Sequence, residues 1–332
     1  MDTDENPKVF STFDLAVGGS NRRRLPNTEY ELNPVGLSTS TFGWKVSEQD
    51  AFQILDTFTA RGGNLLTVSD SNASGRAEWM LGRWISEWGR REDLVIASRV
   101  AVSRAGEILS KNDLIEESLQ SLERLQLEQV DILVLPFWNE AQPHEEILAA
   151  GEHLLEAGRA KYIASNGFSA EQLLGARIAS AQNGLPKFSV ALNEYSLVRR
   201  TVFENEVLPV AKMQGLGIIG KHPLANGFLS GSFRASEKFR DMSRSKQIAE
   251  YAGKQGQKLL AAMDTLSAEL GRSLAEIALA WLLRHPALSA VTVSALNSHQ
   301  ISQSMASIDL ILSPAQLSLL DQASGAGGRL DL

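Results

Sequence analysis

Cysteine is absent from this 332-residue chain, and tyrosine is scarce, with 4 residues. Without thiols there is no disulfide, no cysteine-ligated zinc, no iron–sulfur cluster and no thiolate nucleophile. No apolar stretch approaches the ~18 residues that a membrane helix needs. The opening MDTDENPKVF is acidic and has no apolar core of the kind a signal peptide carries. A cytoplasmic protein without membrane association is the expectation. His144, His153, His222, His285 and His299 form no HExxH or other metal-ligand spacing, so no metal is expected. No serine stands in GxSxG, which leaves a hydrolase triad without support. The net charge of −7 gives no broad attraction to nucleic acid, although a small basic pocket is compatible with it.

What is present is an ordinary globular composition, 43% hydrophobic and 21% charged, ample for a sizeable core. From Val35 onward short apolar runs recur: VGLST (35–39), NLLTV (64–68), DLVIASRV (93–100), VDILVLPF (130–137), AKYIAS (160–165), FSVALN (188–193), LGIIGK (216–221) and SAVTVS (289–294). These runs are apolar on both faces, as suits parallel strands buried under helices. Helix-friendly segments lie between them. One is capped by Ser47 and ends at Gly62. Another is capped by Asn112, with Ile115, Leu119, Leu122 and Leu125 at helical spacing, and a third ends at Gly158. About eight β-α units, with no GxGxxG after the first strand, predict an α/β fold of the (β/α)8 TIM barrel type rather than a doubly wound sheet. We expect one barrel domain over 1–332, with a core at about 35–323 and loose ends at 1–12 and 324–332. A hairpin over Phe13–Glu31 would cap the barrel bottom, its turn carrying Gly18-Gly19-Ser20 and a solvated Arg22-Arg23-Arg24 triplet. Residues 234–256 read as a polar, basic lid or surface loop.

In such a barrel, function sits on the loops after the strands. Read in order, those segments are GLSTSTFGW (36–44), RGGNLLTVSDSNASGRAEWMLGRWI (61–85), SLERLQLEQVDILVL (121–135), GRAKYIASNGFS (158–169), NEYSLVRR (193–200), HPLANGFLSG (222–231) and SHQISQSM (298–305). In order and spacing, from about Val35 to Asp321, they resemble the aldo-keto reductases, nicotinamide-dependent barrel enzymes. The resemblance implies hydride transfer from NADPH to a carbonyl. A tyrosine donates the proton, a lysine and an aspartate tune it, and a histidine orients the carbonyl. By motif, the aspartate position is Thr67, the tyrosine position Asn72, the lysine position Arg99 and the histidine position Pro136. Thr67 and Asn72 do not titrate near neutrality, Arg99 stays charged, and Pro136 has no donor. Four replacements together remove the family's proton-donor chemistry.

The resemblance implies a cofactor site that is only partly kept. Ser165 and Asn166 match the pair that holds the nicotinamide carboxamide. Pro223, Leu224, Asn226, Gly227, Leu229 and Gly231 match the loop that cradles the pyrophosphate, and Gln300 matches a residue near the adenine. Against these, Leu192 replaces a glutamine, Lys221 an aromatic shelf, and Leu296 the base that pairs with the 2′-phosphate, while Gln303 and Ser304 replace an acid and an amide. The expected cofactor is NADP or NAD at a weakened site. The primary expectation is a protein that has lost ordinary carbonyl reduction and binds a dinucleotide or a small anion. The alternative is an NAD(P)(H)-dependent oxidoreductase of carbonyl compounds that uses another donor, His222 or water. Arg99 should organise the pocket, paired with Asp70 or with an external anion. Trp84, Trp88 and Tyr195 are expected to serve packing.

Overall fold

The computed structural model describes residues 22–100, 109–136, 143–232 and 248–325. An antiparallel hairpin, β1 (Arg23–Arg24) and β2 (Glu31–Leu32), comes first. Eight parallel strands follow: β3 (Val35–Ser38), β4 (Leu65–Ser69), β5 (Val95–Arg99), β6 (Val130–Pro136), β7 (Ala160–Asn166), β8 (Val190–Glu194), β9 (Gly217–Lys221) and β10 (Leu288–Val293). They close in sequence order, β10 pairing with both β9 and β3. Every expected strand is present, and the fold is the (β/α)8 barrel.

Helices separate the strands: α1 (Glu48–Ala60), α2 (Arg76–Trp88), α3 (Lys111–Leu125), α4 (His144–Glu156), α5 (Ala170–Asn183) and the short α6 (Leu208–Met213). Then come α7 (Lys254–Leu270), α8 (Leu274–Leu283), α9 (Ser298–Ala306) and α10 (Pro314–Ala323). Their starts are written in serines. Ser47 caps α1, and Ser110, Ser169, Ser273 and Ser313 each form a reciprocal capping box. The cap of α3 is therefore Ser110 and not Asn112, because Asp113 can return the bond to Ser110 N at 2.9 Å. That helix buries Leu114, Ser118, Ser121, Leu122 and Leu125. Leu119, expected on the buried face, lies 42% exposed. Gly158 ends the turn after α4 at φ +66°, as the sequence indicated. Trp84 and Trp88 stack at 4.9 Å on α2, in a packing role.

The hairpin closes one end of the barrel, and its turn differs from the expected one. It runs through Pro26-Asn27-Thr28, with Asn27 at φ +58°, because only a Pro-Asn pair here supplies both the fixed and the left-handed conformation. Residues 13–21, which include the glycines expected in the turn, lie outside the described residues, as do 234–247 of the 234–256 segment. Arg23 is not solvated. It donates to the carbonyls of Leu283, His285 and Leu288, tying the hairpin to the end of α8 and the start of β10. Leu25 and Leu32, both fully buried, join Leu65, Val95, Ile132 and Val190 inside the barrel. Each such leucine contributes about 1.5–3 kcal/mol of burial. Gly217 lets β9 approach: a Cβ there would lie 2.5 Å from the Leu25 side chain. Apolar packing thus seals the end of the barrel where the strands begin. The opposite end stays polar.

Candidate functional site at the barrel mouth

Side chains alternate along a strand, so the inward apolar residues fix which residues face the mouth. Leu65, Ala97, Val134, Ala164, Leu192 and Ile219 all lie in the inner cluster. Two residues further along each strand come Thr67, Arg99, Pro136, Asn166, Glu194 and Lys221, while Ala290 on β10 leads to Thr292. This layer holds Thr67, Arg99, Pro136, Asn166 and Lys221 from the sequence reading. It adds Glu194 and Thr292, which motif matching passed over. Counting inward from the apolar positions by twos would have found them. Leu192, fully interior, is the register partner of Asn166 and offers no polar contact.

Arg99 and Lys221 carry the electrostatics. They stand on β5 and β9, four strands apart in an eight-stranded ring, and so reach toward each other from opposite walls. Burial pushes the Lys221 amine down to about 8; the repulsion of Arg99 adds to this, and Glu194 partly opposes it. Lys221 Nζ donates to Asn166 Oδ1 at 2.6 Å. Among the described residues it has no carboxylate within salt-bridge distance. Burial also lowers the Arg99 pKa, with Asp70 pulling the other way. The described hydrogen bond of Arg99 is long, 3.4 Å to Ser71 Oγ. Asp70 thus acts on Arg99 through its field, and its Oδ1 accepts from the Ser69 hydroxyl at 3.0 Å and from Ser71 N.

Asn72 belongs to the loop after β4, half-buried, its N–H bonded to Ser69 O at 3.0 Å. Ala73, Ser74 and Gly75 follow in left-handed conformation, at φ +51°, +55° and +84°. Two non-glycine residues in that region are strained, the kind of geometry that loops around ligand sites retain. Pro136 is buried at the end of β6 and offers neither donor nor acceptor side chain.

Ser165 lies on the face of β7 opposite Asn166, by alternation. Its hydroxyl is buried and makes no hydrogen bond among the described residues. In the loop after β9, Pro223 and Leu229 are buried and Leu224 is half-buried, anchoring the turn. His222, Ala225, Asn226, Gly227 and Gly231 all have positive φ. The N–H groups of Ala225, Gly227, Phe228, Leu229 and Gly231 bond within the loop itself. His222 is exposed at the strand end. Gln300 sits in α9, where its side chain accepts from Leu296 N at 2.8 Å, and the Ser304 hydroxyl bonds back to Gln300 O at 3.0 Å. The Gln300 side chain is thus engaged at the helix start and the Ser304 hydroxyl within the helix.

Two features at the rim were not legible. Tyr251 stands beside Glu194, its Oη 3.4 Å from Glu194 Oε1, and the Arg199 guanidinium lies over its ring at 5.3 Å. By contrast, Tyr195 points away from the mouth and donates to Glu204 at 2.7 Å, a structural bond. A separate small cleft, lined by Ser98, Ser118, Leu122 and Arg159, lies between the barrel wall and the helices and has no part in the mouth.

Comparison with known proteins agrees with this architecture. The chain is 29% identical over 298 residues to a probable voltage-gated potassium channel subunit beta of Arabidopsis thaliana, covering 85% of this chain and 89% of that protein. It is 28% identical over 318 residues to the uncharacterized oxidoreductase YrpG of Bacillus subtilis, covering 92% and 96%. Among the described residues no helix is long and apolar enough to cross a membrane. Residues 34–324 match the model of the aldo/keto reductase family, and the chain belongs to that family.

Proposed function

We propose that this family member is a binding barrel for small anions that has lost ordinary carbonyl reduction. The observation that carries the reading is the approach of Arg99 and Lys221 from opposite walls of the mouth. Two half-buried cations repel each other, and each has been partly taken out of water at a cost. A carboxylate or phosphate between them relieves both penalties, and the Arg99 fork suits either group. At the positions the family uses for proton transfer, Thr67, Asn72, Arg99 and Pro136 hold no group that titrates near neutrality.

A nicotinamide dinucleotide fits this mouth poorly at its ring end. The Asn166 carboxamide oxygen already accepts from Lys221, Leu192 is apolar, and two cations oppose the positive charge of an oxidised ring. The phosphate-bearing part fares better, since Asn226 and Gly227 open a left-handed loop close to Lys221. We therefore assign NADP or NAD, if bound, a weak and phosphate-dominated site. It should show little preference for the 2′-phosphate, with Leu296 where a base would stand. The relatives' names point both ways, one a channel subunit and one an oxidoreductase, and favour neither reading.

The test is NADPH oxidation with a panel of activated aldehydes and quinones, beside titration with phosphate and small carboxylates. Loss of general acid catalysis removes about 10²–10⁴-fold, so turnover should sit near background while anions bind. Robust turnover that Lys221→Met or Arg99→Met abolishes would overturn the proposal in favour of an oxidoreductase with another donor.

A further inference from the structure

We propose that Lys221 is an amine nucleophile that condenses with the carbonyl of a small 2-oxo acid whose carboxylate is held by Arg99. This deepens the anion-binding reading and rests on it.

The placement of Lys221 separates it from other lysines of the chain. Lys45, Lys161 and Lys212 are exposed. Lys221 instead stands in the inward layer at the end of β9, its side chain largely enclosed. Among the described residues its nitrogen is fixed by one neutral acceptor, the Asn166 oxygen, and not by a carboxylate that would hold it as ammonium. Room beside the nitrogen is provided by Gly167: a Cβ at that position would lie 3.2 Å from Nζ. A desolvated lysine next to a second cation has a larger neutral fraction near physiological pH, which is how proteins prepare lysines for imine chemistry. The value of about 8 agrees with that geometry.

Arg99 selects the substrate. A 2-oxo acid carries its carboxylate one bond from its carbonyl carbon, so docking the carboxylate on the guanidinium brings the carbonyl toward the facing amine. In the first step the neutral nitrogen adds to the carbonyl carbon, a C–N bond forms as the C=O π bond opens, and one of the two nitrogen protons passes to the oxygen to give a carbinolamine. The hydroxyl then takes a proton from solvent, the C–O bond breaks and water leaves, while the nitrogen returns its remaining proton to solvent. The sum is amine plus carbonyl to imine plus water, with no change in oxidation state.

The full chain is incubated with glyoxylate and cyanoborohydride, and the reduced adduct is located by peptide mass spectrometry. Acetaldehyde serves as the neutral control. We expect glyoxylate to label Lys221 ahead of the exposed lysines, and acetaldehyde to show no such preference. Arg99→Met should lower the glyoxylate preference about tenfold or more, the equivalent of one charge-assisted bond. Added phosphate should protect Lys221 in the unaltered protein, a readout that needs no variant to fold. Labelling spread evenly over surface lysines, or glyoxylate preference unchanged in Arg99→Met, overturns the proposal. Melting temperature in acetate or phosphate, which carry no reactive carbonyl, separates the two readings. Anion stabilisation without a Lys221 adduct overturns the nucleophile and leaves the anion site standing, whereas neither effect overturns both.

Discussion

A buried and a half-buried arginine in this barrel are treated in opposite ways. Arg200, after β8, is 2% exposed and closely paired with acids: Nε donates to both Glu204 oxygens at 2.9 and 3.0 Å, and Nη1 to Asp321 at 2.7 Å and Ser324 at 2.9 Å. Its guanidinium lies 4.5 Å from the Trp281 ring centroid, and Trp281 and Arg284 also donate to Asp321. Among the described residues Arg99 has one long hydroxyl contact and the field of Asp70. The outcome shows in the direction of their pKa shifts, although both stay charged. Burial lowers both, but Glu204 and Asp321 lift Arg200 above its ordinary value, while Arg99 ends below it. A cation kept for architecture is surrounded by acids from its own chain. Arg99 lies short of them among the described residues, which is what the proposed anion site requires.

The largest effect should come from breaking the acid-paired centre. Arg200→Met leaves Glu204 and part of Asp321 without their partner, in a network that joins β8, α8 and α10. Removing one member of a buried pair costs about 3–5 kcal/mol. Urea denaturation should register this as a lower midpoint at unchanged slope. Arg99→Met should change stability by about 1 kcal/mol or less, since it removes a poorly compensated charge. Equal losses at the two sites would erase the distinction.

A smaller, ligand-dependent effect sharpens the same contrast. An anion that binds only the native mouth stabilises by about 2.7 kcal/mol when present at 100 times its dissociation constant. Phosphate should therefore raise the melting temperature of the unaltered protein and of Arg200→Lys, but not of Arg99→Met. A shift that survives Arg99→Met would place the anion elsewhere.

The difference between the two centres also marks what the sequence could disclose. Strands were legible because a parallel strand, buried on both faces, reads as a continuous apolar run, as in DLVIAS and VDILVL. Arg99 and Pro136 follow from those runs, being the residues next in line at the strand ends. The cap of α3 was misplaced by two residues because Ser110 and Asn112 are both good caps, and only the reciprocal bond from Asp113 decides between them. The Arg200 network was invisible for a different reason: its acid Asp321 lies 121 residues away, and no local pattern links them. The encounter of Arg99 with Lys221 was equally hidden, since it depends on a ring closing so that the third and seventh barrel strands face each other. Motif spacing assigns residues to strand ends. Only closure assigns them to each other.

The smallest expected effect is a dependence on pH that belongs to the mouth alone. Lys221 titrates near 8 in the native state and near its ordinary 10.5 when unfolded. Between those values the unfolded chain binds a proton that the native chain has released, so this group makes stability rise with pH through that window. Below about 8 both states are protonated and the full penalty of the buried ammonium applies. The slope cannot exceed about 1.4 kcal/mol per pH unit for one proton, and relaxation around a partly open site should hold it lower. Lys221→Met removes the contribution, so the difference in stability between variant and unaltered protein should shrink steadily from pH 8 toward 10. Phosphate at the mouth opposes the Arg99 repulsion and stabilises the ammonium, which moves the onset of that window upward. Phosphate affinity should accordingly weaken as pH rises through the same range. A stability difference that stays flat between pH 8 and 10, with phosphate affinity equally flat, would mean that the Lys221 amine is hydrated and remote from Arg99, and the contrast between the two centres would lose its second cation.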